Sequence, residues 1–268
     1  MGRRDGRTRA GDGRPILARI GLLIMLVSFV WLQLTATRRS LNRLETRSPD
    51  TAPFALVIID AGHGGQDSGT IKSGLVEKDL ALDVAHRLER HLQQRGFVTL
   101  LTRADDTYVS LQDRASIANN QPDSVFVSIH FDDAGRAAAT GVETYYAAHR
   151  VSLPERVASW LPFLQKVSAE PPDLESQYLA GFIQESVVAQ TQATNRGTRQ
   201  QQFFVVANVR HPAVLVEGGF LTNKDEALKL TNADYREQMA AGIANGILTY
   251  RASLLEQRTP LTVDLPSR

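Results

Sequence analysis

The sequence predicts an α/β fold with a mostly parallel central sheet of about six strands flanked by helices, preceded by an N-terminal apolar export or anchor segment. From residue 53 onward, short apolar or β-branched runs alternate with longer stretches of helical periodicity. Alternation of this kind is typical of parallel sheets that are covered by helices. The strand-like runs are apolar at successive positions, which indicates strands buried on both faces.

The first 36 residues are predicted to be a signal peptide or a signal anchor. Residues 1–19 contain six arginines, and residues 20–36 carry no charged side chain. This apolar run is longer than a usual signal-peptide core, yet as a helix it spans about 25 Å, slightly less than the roughly 30 Å of a bilayer core. Both alternatives stay open. Arginines that flank an apolar segment usually stay on the cytoplasmic side of the membrane. The rest of the chain is therefore expected outside the cytoplasmic membrane, in the periplasm or anchored to the membrane.

The folded domain is predicted to span residues 53–254, between a polar linker at 37–52 and a C-terminal tail at 255–268. Within it, six short apolar or β-branched runs bounded by polar residues or glycine are predicted as strands. These predicted strands lie at 55–60, 97–102, 125–129, 142–146, 203–206 and 213–217.

Longer segments between these strands are predicted as helices, because their apolar residues recur every third or fourth position. The predicted helices lie at 77–95, 111–119, 174–193 and 232–254. The first of them shows the period most clearly, with an apolar stripe from Leu80 to Leu92 and charged or amide side chains on the other face. Gly96 follows as a C-terminal cap.

Composition excludes several classes of function. The formal net charge is +1, but the first 50 residues hold ten arginines against four acids, so the remainder is mildly acidic. A mildly acidic domain has no electrostatic footprint for a phosphate backbone, so no nucleic acid is expected as a partner. The chain has no cysteine, which excludes disulfides, thiol catalysis and cysteine-ligated metals. Any metal site must therefore consist of His, Asp and Glu.

Three predicted strands end in side chains that bind metals or transfer protons. His63 follows the first strand on a glycine-rich turn, His130 ends the strand that starts at residue 125, and Glu217 ends the strand that starts at residue 213. Ligands of α/β sheets bind at the carboxyl ends of strands. Glu77 opens the first helix, where the helix dipole keeps a carboxylate ionised. Two imidazoles and one carboxylate form the ligand pattern of catalytic zinc, and the remaining glutamate is then a general base.

Several sequence blocks resemble the zinc-dependent N-acetylmuramoyl-L-alanine amidases of bacterial cell walls. The resemblance covers roughly residues 54–252 and rests on their order and spacing together. The blocks that carry it are DAGHGGQDSG (60–69), GLVEKD (74–79), LTR (101–103), SLQDRASIAN (110–119), SIHFD (128–132), GVETYY (141–146), NRGTRQQQFFVV (195–206) and PAVLVEGGFLTN (212–223).

This resemblance implies a function and assigns the roles within the site. His63, Glu77 and His130 match the zinc ligands of the family, and Glu217 matches its catalytic glutamate. The implied reaction is hydrolysis of the amide between N-acetylmuramic acid and L-alanine in peptidoglycan, with Zn²⁺ as cofactor. Two alternatives stay open, a non-catalytic peptidoglycan-binding or regulatory module of the same fold and a zinc peptidase that acts on the stem peptide.

The sequence departs from the family pattern in two places. Phe131 and Asp132 follow the second histidine, where many relatives have a small residue and then Asn, which puts a substrate contact from that position in doubt. Residues 147–177 form an insertion where compact relatives have a short loop. The insertion is either a lid over the zinc cleft that a protein activator lifts, or a segment that only covers apolar surface.

Other polar residues near the motifs have two interpretations each. Asp60 either accepts a hydrogen bond from His63 as a second-shell partner or only shapes the turn. Arg103 and Arg114 either pair with carboxylates of the substrate or support loops, and the second role is favoured. The remaining histidines are expected to be structural; they are His86, His91, His149 and His211.

Overall fold

The computed structural model describes residues 53–132, 139–148 and 173–258, with only the backbone of Asp132. The predicted signal or anchor at 1–36 and the linker at 37–52 lie outside the described residues. So do most of the predicted insertion and the last ten residues of the tail. Among the described residues, no helix has both the length and the apolar character needed to cross a membrane.

A six-stranded sheet forms the centre of the described domain. Its strands are β1 (Leu56–Ala61), β4 (Val98–Leu101), β5 (Ser124–Asp132), β6 (Val142–Tyr146), β7 (Asn195–Gln200) and β8 (Ala213–Phe220), and a small antiparallel hairpin is formed by β2 (Ile71–Lys72) and β3 (Leu75–Val76). The strand order in the sheet is β4-β1-β5-β8-β6-β7. Neighbouring strands are parallel except for β6 and β8, which are antiparallel. The predicted mostly parallel sheet is confirmed.

Helices cover both faces of this sheet. They are α1 (Glu77–Gln93), α2 (Leu111–Asn119), α3 (Leu174–Thr191), α4 (Phe204–Ala207), α5 (Lys224–Thr231) and α6 (Ala233–Arg258). The larger core contains apolar side chains of α1, α3 and α6 with one face of the sheet. The smaller core contains side chains of α2 and α4 with the opposite face. The predicted α/β class, with helices on both sides, is therefore confirmed.

Besides the hairpin of β2 and β3, which the sequence did not predict, three elements differ from the sequence prediction. The run at 203–206 is wrong as a strand, because Phe204–Ala207 form the short helix α4, whose valines pack in the smaller core. Periodicity cannot distinguish strand from helix in so short an apolar run. The sequence prediction missed the strand β7, because its residues NRGTRQ are polar and largely exposed at the sheet edge. Helix α5 was missed as well; its N-cap Asn223 accepts hydrogen bonds from the backbone N–H groups of Asp225 and Glu226.

Strand direction determines which residues meet at one edge of the sheet. The parallel strands β1, β5 and β8 end at this edge, and the antiparallel β6 and its parallel neighbour β7 begin there. His130 of β5 is in register with Glu217 of β8, which is in register with Glu143 of β6. Residues in register project from the same face. The edge therefore presents a row of polar side chains from three adjacent strands.

Candidate metal centre

Two histidines and one glutamate meet beyond the carboxyl ends of β1 and β5. Glu77 Oε1 lies 2.9 Å from His63 Nε2 and 3.0 Å from His130 Nδ1. One ligand atom from each residue lies within 4.8 Å of the other two. The two rings meet edge to face, with their centroids 4.9 Å apart. This group could hold a metal ion, and its members are the three residues that the sequence motifs single out.

A tight turn after β1 positions His63. The backbone φ of His63 is 60°, in a left-handed region that histidine enters more often than most residues. Reciprocal backbone hydrogen bonds of 2.8 and 3.1 Å between Gly64 and Asp67 close the turn. Asp67 Oδ2 lies 2.9 Å from His63 Nδ1. A carboxylate on this nitrogen fixes the ring, so that Nε2 faces Glu77.

Glu77 is the first residue of α1, and its buried carboxylate is held on both oxygens. Oε2 accepts from the backbone N–H of Thr70 at 2.9 Å, and Oε1 accepts from that of Phe131 at 3.1 Å. Burial opposes ionisation, but hydrogen bonds with His130 and His63 outweigh it and hold the pKa of Glu77 well below its usual range. The carboxyl group is therefore ionised at neutral pH, as a metal ligand must be.

The hydrogen bonds found for Asp60 among the described residues go to groups other than His63, which favours its role in shaping the turn over a second-shell contact with that ring. Its Oδ1 accepts from the Thr102 hydroxyl and from Arg114 Nη1, each at 2.6 Å, and its Oδ2 accepts from the β5 serine hydroxyl at 2.7 Å. The physical reason is its place within β1: Asp60 is in register with that serine and fully buried. The carboxylate that contacts the His63 ring is Asp67 instead.

Arg103 and Arg114 support the backbone of the His63 turn. They are only 4% and 3% exposed, so neither guanidinium is accessible to a substrate. Both donate to backbone carbonyl oxygens at 2.6 to 2.9 Å. The acceptors are the carbonyls of Ala61, Gly62, His63 and Lys78. Of the two interpretations open at the sequence level, the structure favours loop support.

Two glycines leave space for the metal-binding side chains. A Cβ on Gly62 would lie 2.4 Å from His130 Cε1 and 2.5 Å from His130 Nε2. A Cβ on Gly69 would lie 2.6 Å from Glu77 Oε2, and its φ of 61° is a conformation that glycine adopts without strain. The glycine-rich motif around His63 therefore allows close packing of the ligands.

Glu217 lies beside this group on the same face of the sheet. It is in register with His130 and is only 8% exposed. Within the described residues, the clustered ligand atoms come from His63, Glu77 and His130, and Glu217 is outside that cluster. The neighbouring carboxylate is therefore placed next to a metal-binding group without being part of it.

The motifs contain further site residues to which the sequence analysis assigned no role. Glu143, from the block GVETYY, is 1% exposed and lies next to Glu217 in register. Arg196 and Arg199, from the block NRGTRQ, both pair with Glu143. The sequence pattern points to residues at the ends of strands, whereas Glu143 and Arg196 lie near the beginning of β6 and β7, and Arg199 lies further along β7.

Phe131, which stands where many relatives have a small residue, packs in the core. Phe131 is fully buried, and a Cβ on Gly218 would lie 2.7 Å from Phe131 Cε1. The absence of a side chain at Gly218 thus leaves room for this ring.

Two of the histidines that were expected to be structural contact groups outside the metal-binding group. His86 Nε2 lies 3.1 Å from the Ala104 carbonyl, and His91 Nε2 lies 2.8 Å from Glu237.

Known proteins are similar to this chain in sequence and in fold. AmiA, the N-acetylmuramoyl-L-alanine amidase of Salmonella typhimurium, is 30% identical over 227 residues, covering 76% of this chain and 78% of that protein. The crystal structure of the N-acetylmuramoyl-L-alanine amidase from Clostridium difficile 630 has 35% identity and a TM-score of 0.63, covering 75% of this chain and 98% of that one. The structure of the CwlD amidase from Clostridioides difficile in complex with the GerS lipoprotein has 27% identity and a TM-score of 0.62. The match covers 74% of this chain and 99% of that one.

The sequence model of the N-acetylmuramoyl-L-alanine amidase family matches residues 57–249. This range includes most of the chain and the whole row of site residues at the sheet edge. The chain therefore belongs to the N-acetylmuramoyl-L-alanine amidase family.

Proposed function

We propose that the protein uses a zinc ion to hydrolyse the amide between N-acetylmuramic acid and L-alanine in peptidoglycan, which releases the stem peptide from the glycan. The amide hydrolysis in this proposal is the activity for which the family and relatives such as AmiA are named. The single observation that carries the proposal is the meeting of two imidazoles and a buried carboxylate at one point.

The donor set fits zinc. Two imidazole nitrogens and one carboxylate oxygen are the protein ligands of many catalytic zinc sites, which leave a further position for water or substrate. Here His63, Glu77 and His130 supply these donors. Zinc-binding histidines commonly form a hydrogen bond to a carboxylate through their second ring nitrogen, and Asp67 is that carboxylate for His63. A bound zinc ion supplies Lewis acidity, which activates water and polarises a carbonyl group.

Glu217 is the proton carrier in this proposal. Its carboxylate lies on the sheet face of His130, in register with it. From that position it can accept a proton from the attacking water and return it to the amine of L-alanine as the amide bond breaks. The proposal assigns Arg103 and Arg114 no role in proton transfer, because their buried guanidinium groups donate to backbone carbonyls around the His63 turn.

Product analysis separates this function from the two alternatives. Purified full-length protein is incubated with peptidoglycan, and the soluble products are identified by mass spectrometry. We expect stem peptides with a free N-terminal L-alanine and intact glycan chains. Cleavage within the stem peptide would indicate a zinc peptidase. Binding to the wall without any product would indicate a non-catalytic module.

The chain is proposed to work in the cell envelope, outside the cytoplasmic membrane. The apolar segment at 20–36 and the arginines before it support export, by a signal peptide or a membrane anchor. A reporter enzyme active only outside the cytoplasm, fused after Arg39, is expected to be active. Activity of a cytoplasm-only reporter at the same junction would contradict export.

A protein activator that acts on the insertion at 147–177 is proposed as a partner. Support comes from CwlD, whose structure was solved with the lipoprotein GerS. Replacing residues 150–172 by a Gly/Ser linker tests the role of the insertion. Higher basal activity with unchanged stability would identify a lid, whereas lower stability without activation would identify a structural cover.

A further inference from the structure

A buried glutamate beside the metal centre binds two arginines. Glu143 Oε2 accepts from Arg196 Nε at 3.2 Å and from the Tyr145 hydroxyl at 3.0 Å. Glu143 Oε1 pairs with Arg199 Nε. Glu143 therefore holds two guanidinium groups, one on each of its carboxylate oxygens.

This cluster adjoins Glu217. Glu143 and Glu217 are directly opposite each other in the antiparallel pair of β6 and β8. Side chains at such positions lie on one face with their Cβ atoms about 4.5–5.5 Å apart. On the other side of Glu217 lies His130, a member of the metal-binding group. Glu143, with its two arginines, is therefore two strands away from His130, and the two residues are on the same face of the sheet.

The two arginines differ in how they are held. Arg196 lies over the ring of Phe220, with its Cζ 4.7 Å from the ring centroid, and its side chain is 28% exposed. The Arg199 side chain is 56% exposed, and its bond to Glu143 uses Nε. Within residues 53–132, 139–148 and 173–258, no hydrogen bond of the Arg199 Nη1 or Nη2 group is found. The terminal nitrogens of this exposed side chain are therefore available to a ligand.

We propose that Arg199, oriented by Glu143, binds a carboxylate of the stem peptide and makes the enzyme select acidic peptides. A guanidinium fork matches a carboxylate in two parallel hydrogen bonds, which a lysine cannot form. The residue after L-alanine carries a free α-carboxylate when the peptide continues through its side chain. That carboxylate is on the next Cα, about 3.8 Å along the chain from the alanine Cα.

This inference rests on the proposed function, because it places the scissile amide between Glu217 and the metal-binding group. A purely structural ion pair is the competing explanation for Arg199. Glu143 already has Arg196 and Tyr145 as partners. Arg196 alone balances the charge of Glu143, and the exposure of Arg199 is suited to contact with a ligand.

The test compares two soluble muropeptides that differ only in the residue after L-alanine, which carries either an α-carboxylate or an α-carboxamide. For the zinc-loaded full-length protein we expect kcat/KM to be about tenfold higher for the carboxylate. In Arg199→Gln this preference should fall to within about twofold, with the rate on the carboxamide unchanged. Arg199→Lys should retain part of the preference, because it keeps the charge and loses the fork.

Arg90→Gln is the matched control. The Arg90 side chain is 57% exposed, so both variants remove one exposed guanidinium. Arg90 lies 13 residues after Glu77 in α1, which is about 20 Å along the helix. We expect Arg90→Gln to keep the substrate preference of the parent.

Each outcome has one meaning. Equal rates of the parent on both substrates overturn the Arg199 inference and leave the amidase function intact. A parent preference that Arg199→Gln keeps also overturns it, as does an equal loss of rate on both substrates. Absence of hydrolysis of either muropeptide by the parent contradicts the proposed function itself.

Discussion

His130 and Glu217 are direct neighbours across β5 and β8, in register and on the same face of the sheet. One belongs to the metal-binding group, and the other lies just outside it. In the proposed mechanism, this pairing places the general base directly beside a metal ligand, with no loop between the two residues. Because strand register is fixed by many backbone hydrogen bonds, their spacing does not depend on a mobile segment.

Metal binding is the first prediction. The purified full-length protein is expected to hold about one zinc ion per chain, since one set of donors is present. His63→Ala and His130→Ala should each lose the metal, and a chelator should abolish wall digestion until zinc is added back. His86→Ala is the control, because this histidine contacts the Ala104 carbonyl. Full zinc occupancy in either ligand variant, measured by elemental analysis, would show that the assignment is wrong.

The second prediction separates the two glutamates. Glu217→Gln keeps the shape of the side chain but cannot accept a proton, so it should retain zinc while the rate falls about 10²–10⁴-fold. Glu77→Gln should instead weaken zinc binding, because a neutral amide is a poorer ligand than a carboxylate. Zinc titration and turnover of both variants check this. The opposite pattern would mean that their roles are exchanged.

The third prediction is that Gly62→Ala weakens zinc binding. The added Cβ would lie 2.4 Å from the His130 ring, so the ring must move and zinc affinity should fall about 10–100-fold, as for other changes that misplace a ligand. Gly181→Ala is the matched control, since a Cβ there meets no atom within 4 Å in this structure. Equal zinc affinity in the two variants, measured by competition with a chelating dye, would refute the steric argument.

The fourth prediction concerns Arg114. Its guanidinium and the Asp60 carboxylate are 3% and 1% exposed and lie 2.6 Å apart. Arg114→Leu leaves a buried carboxylate without this cation, which should lower the free energy of unfolding by about 3–5 kcal/mol. Denaturant titration measures this effect. A stable variant with a raised KM would instead support the substrate-binding role that the structure disfavours.

The fifth prediction is a pH dependence of stability at the junction of α1 and α6. Burial opposes ionisation of Asp83, but hydrogen bonds from Arg87 and Arg236 outweigh it and lower the pKa of this carboxyl. The unfolded carboxyl has a pKa of about 3.9. The stabilisation is therefore complete above about pH 5 and is lost as the pH falls through the lower pKa of the folded state.

Comparison of the parent with Asp83→Asn isolates this group. The difference in free energy of unfolding should be largest near neutral pH and should shrink below about pH 4. Other titrating groups, including the neighbouring Glu237, contribute to both proteins and largely cancel. A difference that stays constant from pH 6 to pH 3 would contradict the prediction.

The sequence by itself determined the α/β class, most strand and helix positions, and the identity of the clustered side chains. Strands such as β8 are apolar at successive positions because they are buried on both faces. His63, His130 and Glu217 were recognisable because each follows or ends such a strand, and parallel strands bring their carboxyl ends to one edge. Local pattern and chain direction contain that information.

The tertiary structure alone decided the contacts made by elements without a local pattern. Strand β7 is polar because it lies at the exposed sheet edge, so periodicity did not mark it. Asp67 rather than Asp60 contacts His63, because the turn after β1 carries the ring away from the strand. Glu143 meets Glu217 because β6 runs antiparallel to β8. Sheet order and strand direction result from packing across the whole domain, and no short segment of sequence specifies them.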